Sequence, residues 1–220
     1  MKYRKGVRVA LIAASIGLTI VGAALKFNLG PVPYTMQNMG IMFAGMMLEA
    51  RYAALALFAY LILIALGLPV AAGFRGGIHV LLGYTAGYLW AFPLAAALIS
   101  MIRRAYLARV GRDVYDITVK DAACLIGLSF FGVLPMYLIG FAVFYLYASG
   151  ALGSSYRGLM AWAYHVVNDF MGLHLANPVL VAFIASVAIF VPQDLLMDHA
   201  IAVAVARSVA RYLRSRELAV

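Results

Sequence analysis

Apolar residues fill this chain in long runs, and the polar positions fall between the runs rather than alternating within them. Runs that approach about 20 residues read as membrane-crossing helices. Six can be drawn: about Val7 to Leu25, Asn38 to Leu48, Tyr52 to Leu66, Ile78 to Ile102, Ala122 to Tyr147 and Val179 to Ala206. The second is too short to cross alone, so it is expected to begin inside the membrane after a re-entrant segment. A polar break at Glu49-Ala50-Arg51 separates it from the third. Helix breakers are concentrated in one region: Gly30, Pro31 and Pro33, then Gly67, Pro69, Gly73, Gly76 and Gly77, then Gly83, Gly87 and Pro93. Broken backbone at membrane depth is tolerated only against protein or a water-filled cavity. The pattern therefore predicts an all-α integral membrane protein of about six helices with a Pro/Gly-broken outer region. No internal repeat, heptad run or low-complexity tract divides it, and residues 1–220 read as one membrane-embedded domain.

Composition sharpens this. The chain is 66% hydrophobic and 11% charged with a mean hydropathy of +0.97, against about half and a quarter in ordinary globular chains. A formal net charge of +9 raises the question of nucleic acid, but the basic residues sit at span ends rather than on one soluble face. They form three groups: Lys2, Arg4, Lys5 and Arg8; Arg103, Arg104, Arg109 and Arg112; Arg207, Arg211, Arg214 and Arg216. The positive-inside rule puts all three in the cytoplasm, and an even number of spans between successive groups agrees. Residues 103–121 are then a cytoplasmic loop, residues 148–178 an outer loop, and both termini cytoplasmic in a multi-pass protein of the cell membrane. The first apolar run is expected to be a retained helix rather than a cleaved signal. The single Cys124 reads as a small buried apolar residue.

Several side chains could carry chemistry. Arg75, among Gly73, Gly76 and Gly77, could form a bidentate pair with a carboxylate, or merely meet water and headgroups. Gln37 and Asn38 open the short second run, where amides suit a neutral polar ring such as a ureido; Asn38 could equally cap the helix, and Gln37 could bond the broken backbone beside it. Of Tyr84, Thr85 and Tyr88, Tyr84 is the candidate cavity wall, although tyrosines also populate interfacial belts. Asp194 follows Pro192, where a carboxylate would favour a helix N-terminus. His165 and Asp169 stand one helical turn apart, which fits a water-facing amphipathic helix better than a metal site. Ala10 and Ala14 form a small-xxx-small pair that another helix could approach closely. Phosphate-binding G-x-x-x-x-G-K-[ST], H-E-x-x-H and G-x-S-x-G motifs are all missing, so the chain does not itself hydrolyse ATP.

Three segments together resemble a known family. These are Pro31-Val32-Pro33-Tyr34-Thr35-Met36-Gln37, the Gly67-Leu68-Pro69-Val70 turn with the glycine-rich loop after it, and Gly83-Tyr84-Thr85-Ala86-Gly87-Tyr88 leading to Phe92-Pro93-Leu94-Ala95-Ala96. In order and spacing they are similar to the BioY family, the biotin-specific substrate-binding subunits of energy-coupling-factor vitamin transporters. The resemblance implies capture of biotin from outside by Gln37, Asn38, Arg75, Tyr84 and Asp194. It also implies docking through Ala10 and Ala14 onto a transmembrane coupling subunit that works with two ATPases. Some members of such a family act alone. No cofactor is implied, since ATP belongs to the partners. The segment Phe190–Met197 is similar to the family's F-x-P-G-D-L-x-K, with Gln193 in place of glycine and Met197 in place of lysine. Met197 is accordingly expected to face the cavity beside Asp194, leaving the site one cation short. Rival readings are another small carboxylate ligand, such as lipoate or dethiobiotin, an intramembrane enzyme using His165, Asp169 or Asp194, and a scaffold without ligand.

Overall fold

A computed structural model describes residues 3–28, 32–152 and 158–218; Lys2 of the first basic group and Gly30 and Pro31 of the proline segment lie outside them. The fold is an all-α membrane bundle with one small hairpin. Helix α1 (Lys5–Ala24) runs into strands β1 (Lys26–Asn28) and β2 (Pro33–Thr35), which pair antiparallel with Phe27 opposite Tyr34. Then come α2 (Asn38–Met47) and α3 (Ala50–Ala65). A 3-10 turn at Ile78–Leu82 and the short α4 (Ala86–Trp90) lead to α5 (Phe92–Val110). Helix α6 (Val119–Ala148) is followed by α7 (Gly158–Tyr164), which widens into a π turn at His165–Phe170. The last helix, α8 (Pro178–Ser215), contains π-helical stretches at Ile184–Ala188 and Asp194–His199. Among the described residues α1, α6 and α8 are each long and apolar enough to cross a membrane alone. Exposed apolar side chains such as Phe58, Phe131, Leu138 and Leu196 cover the outside, as a lipid-facing surface requires.

The short second run becomes the centre of the bundle. Every residue of α2 is buried, as expected of a helix that is apolar all round. Helices α1, α3, α5 and α8 surround it. Close approach depends on Gly40, whose missing side chain admits the backbone of Thr19 on α1. At its other end the Leu48 carbonyl accepts from Ser100 Oγ at 2.6 Å and Arg103 Nη2 at 3.1 Å. A guanidinium thus meets the negative end of the helix dipole.

Three expectations need correction. The fourth run is not one continuous helix: Gly83 and the turn before Ala86 divide it, and α5 starts anew at Phe92 with Pro93 in its first turn, where proline is tolerated. The connection expected at 103–121 starts later, because α5 continues to Val110 and Arg103, 8% exposed, belongs to the core. Its arginines do not break the helix, since one is used to cap α2. The remaining connection is fixed by Asp121, which accepts from Thr118 N–H at 2.7 Å and Tyr106 OH at 3.0 Å and pairs with Arg112. Finally, Cys124 is exposed on α6 rather than buried, an acceptable place for a thiol that lipid can solvate.

The described part of the connection after α6 is built from packed structure. Ala163 and Val167 pack on Val181 and Ala185 of α8, and Trp162 meets Phe144 edge to face. Asn168 ties the return of the chain by two hydrogen bonds to Leu175, at 2.8 and 2.9 Å.

Candidate functional site

One cavity, about 740 Å³ counting its open mouth, lies where the broken segments converge, a size usual for a small-molecule site. Six elements build it. The β2–α2 junction contributes Thr35, Gln37 and Asn38; the loop before the 3-10 turn contributes Ala71, Ala72 and Arg75; α4 and α5 contribute Tyr88, Leu89 and Phe92. From α6 and α8 come Met136, Tyr137, Ser186, Phe190 and Asp194. Pro135 on α6 removes one rung of the helical hydrogen-bond ladder beside Met136 and Tyr137. On α8, Pro192 and the π turn after it do the same beside Asp194. Backbone irregularity therefore lines a cavity, as it must at this depth.

The polar groups are held in place before any ligand arrives. Gln37 is the residue before α2 and does not cap it with its side chain. Its Nε2 donates to Tyr60 OH at 2.8 Å, Tyr60 donates onward to the Val70 carbonyl at 3.0 Å, and Thr35 Oγ1 donates to Gln37 Oε1 at 3.0 Å. One amide N–H and one carbonyl lone pair remain. Asp194, 3% exposed, accepts from Tyr137 OH at 2.5 Å and from the Asn38 amide. Asn38 is the first residue of α2 and spends its side chain on Asp194 rather than on its own helix end. Tyr88 OH is committed to the Ser186 carbonyl at 2.6 Å, leaving its ring as wall. Arg75 stands at the exposed mouth. Its Nε donates to the Ala72 carbonyl at 3.1 Å and its own carbonyl accepts from Ala71 N–H at 2.9 Å. The loop closes tightly because Gly73 and Gly77 adopt φ of +72° and +99°, readily available only to glycine.

The structure thus brings Gln37, Asn38, Arg75 and Asp194 to one cavity. Tyr84 stands apart, packed on the cluster of Val32, Phe144 and Leu159, while Thr85 and Tyr88 line the cavity in its place. The chain turns at Gly83–Thr85 before α4 begins, so Tyr84 is carried away from the cavity while Thr85, at the start of α4, faces it. Met197 does not face the cavity: it is 48% exposed. The π turn from Asp194 takes more than the usual residues per turn, so the third residue onward swings outward and the fourth, Asp198, is buried instead. An acid recurring four residues after Asp194 was the available signal for it. His165 and Asp169 pair at 2.7 Å on an exposed turn, and no third metal-binding side chain joins them among the described residues.

A multi-pass membrane protein with a polar-ended, apolar-walled cavity among broken helices is a substrate-binding architecture, and the whole bundle matches a solved one. It superposes on a chain titled as the S-component for biotin from an ECF-type ABC transporter, with a TM-score of 0.64 and 22% identity over 96% of this chain and 95% of that one. The family model described as "BioY family" matches residues 1–215, and the chain belongs to that family. Among curated relatives, the Rhodobacter capsulatus protein named "Biotin transporter BioY" is 31% identical over 96% of this chain and 95% of its own length. The Pyrococcus horikoshii protein named "Probable biotin transporter BioY" is 40% identical over 62% of this chain and 73% of its own.

Proposed function

We propose that the chain captures biotin from outside the cell membrane and serves as the substrate-specific subunit of an energy-coupling-factor transporter. One observation carries this reading: the cavity has a cation, Arg75, at its mouth and a buried acceptor, Asp194, at its floor, with Tyr88, Leu89, Phe92 and Met136 between them. That polarity fits a ligand with a carboxylate at one end and neutral N–H donors at the other, which are biotin's valerate and ureido groups. The names of the relatives support the same ligand. In this reading the protein binds and transports without changing its substrate, needs no cofactor, and forms one domain. Tyr84 supports the wall through Tyr34 and Phe190 rather than by direct contact. The test is equilibrium binding of labelled biotin to the purified chain, with lipoate and dethiobiotin as competitors. Displacement by biotin alone at equal concentrations is expected; stronger displacement by lipoate would transfer the site to another carboxylate. Arg75→Ala is expected to weaken biotin binding about ten-fold, the loss of one hydrogen-bonded charge that water partly screens. Unchanged affinity would leave Arg75 a surface residue.

The partners in this reading are a transmembrane coupling subunit and two ATPases. Ala10 and Ala14 are both exposed on α1, as a close helix–helix contact demands. Both termini are cytoplasmic in the same reading. In intact cells of a Cys124→Ser background, Ile78→Cys should react with a membrane-impermeant thiol reagent and Arg214→Cys should not. External labelling at 214 would reverse the orientation.

A further inference from the structure

Behind the cavity floor two acids share a dry space. Asp194 is 3% exposed and Asp198 is fully buried, and among the described residues no ion pair reaches either one. Arg75 lines the same cavity but from its exposed mouth. What faces the pair is neutral or only partly charged. Tyr137 donates to Asp194 from α6, and the start of α2 at Asn38 and Met39 lies against Asp198, the Met39 N–H itself donating to the Met36 carbonyl at 3.2 Å. The phenols of Tyr34 and Tyr88 lie nearby. His199 turns to the other side, its Nδ1 2.7 Å from Ser129 Oγ. A helix N-terminus offers about half a unit of positive charge, which is less than two buried carboxylates need if both are to be ionised.

The same space contains oxygens with nothing to accept. Asp198 Oδ2, Gln193 Oε1 and Asn38 Oδ1 are buried without a hydrogen-bond donor. Neither amide can correct this by turning over. Gln193 Nε2 already donates to Asp198 Oδ1 at 2.5 Å, and the Asn38 amide is engaged by Asp194, so each oxygen is fixed by the bond its nitrogen makes. Orphaned acceptors of this kind, all oxygen and beside two buried acids, are the donor set of a hard cation. No three His, Cys, Asp or Glu side chains gather among the described residues, which argues against a divalent or transition metal.

We propose that Asp198 Oδ2, Asn38 Oδ1 and Gln193 Oε1 hold one sodium-sized monovalent cation beside Asp194, directly behind the floor of the cavity. The inference stands on the buried acids and orphaned oxygens and does not depend on which ligand fills the cavity. It is tested without biotin, on the full chain in lipid nanodiscs at constant ionic strength in sodium, potassium or choline chloride. Saturable binding of radioactive sodium at one ion per chain is expected, with a higher thermal midpoint in sodium than in choline, because an ion that binds only the folded state stabilises it. Asp198→Asn should lower sodium affinity by roughly 10-fold or more. Should that variant not fold, Gln193→Leu keeps both acids, removes one oxygen, and should also weaken sodium binding. Absence of saturable sodium binding with equal midpoints in all three salts overturns the proposal. A midpoint that responds to pH but not to the cation overturns it too, since a proton then balances the pair.

Discussion

Asp194→Asn is expected to lower affinity for biotin by roughly 100-fold. The carboxylate is almost fully buried and accepts from Tyr137 and Asn38, so both neighbours are arranged for an acceptor-only group. An asparagine presents an NH₂ to one of three donors: the phenol, the Asn38 amide, or the ligand's N–H. Whichever is chosen, one buried donor meets another. Removing a desolvated charged partner costs about 2–5 kcal/mol in comparable interfaces, and 1.4 kcal/mol is a factor of ten. Equilibrium binding of labelled biotin to the purified variant measures the loss, with its thermal midpoint confirming that it folds. Affinity within three-fold of the unmodified chain would remove Asp194 from the site.

The second large effect is on stability. A side chain on Gly40 would run into the backbone of Thr19, whose Cα lies 2.8 Å from where a Cβ would stand. Backbone cannot rotate out of the way as a side chain can, so α1 and α2 would have to separate along the centre of the bundle. Gly40→Val is expected to cost about 3 kcal/mol, the upper part of the range for overpacked cores, and to reduce the yield of monodisperse protein. Gly127→Ala on α6, where nothing lies within 4 Å, should leave the midpoint unchanged or higher. A Gly40→Val protein as stable as Gly127→Ala would mean that α1 and α2 do not touch there.

How much of this could be read beforehand follows from which forces act locally. Helices α1, α3 and α6 announce themselves because lipid demands uninterrupted apolar length, and the brevity of α2 marked it as incomplete by itself. Gln37, Asn38 and Arg75 were legible as polar groups costly in hydrocarbon beside broken backbone, whereas Asp194 stood out through its place after Pro192 and the resemblance of Phe190–Met197 to a family segment. Met197 was expected in the cavity because it stands at the lysine position of the family's segment, and Tyr84 because it flanks the glycines of the fourth run; in both places the backbone departs from a regular helix. The π turn at 194–199 and the bend at 83–85 rotate side chains by amounts that residue spacing cannot disclose. Arg103 was read as a loop charge because its partner, the Leu48 carbonyl, lies on another helix 55 residues away. Asp198 offered only its spacing of four residues from Asp194 as a signal, and its burial became evident once its neighbours in space were known.

The confinement of α2 also bears on how the protein enters its membrane. Ten residues make a rod of about 15 Å, half the thickness of the hydrocarbon layer, about 30 Å. Such a segment cannot be released sideways into lipid during synthesis, for its ends would leave peptide groups unpaired in oil. Beyond the turn bonds of Met39 and Gly40 to the Met36 and Gln37 carbonyls, its start rests against Asp198 on α8 and the Leu48 carbonyl after its end is held by Ser100 and Arg103 on α5, both translated later. The second helix to emerge from the ribosome is therefore the last that can settle, and biogenesis of the bundle ends at its centre.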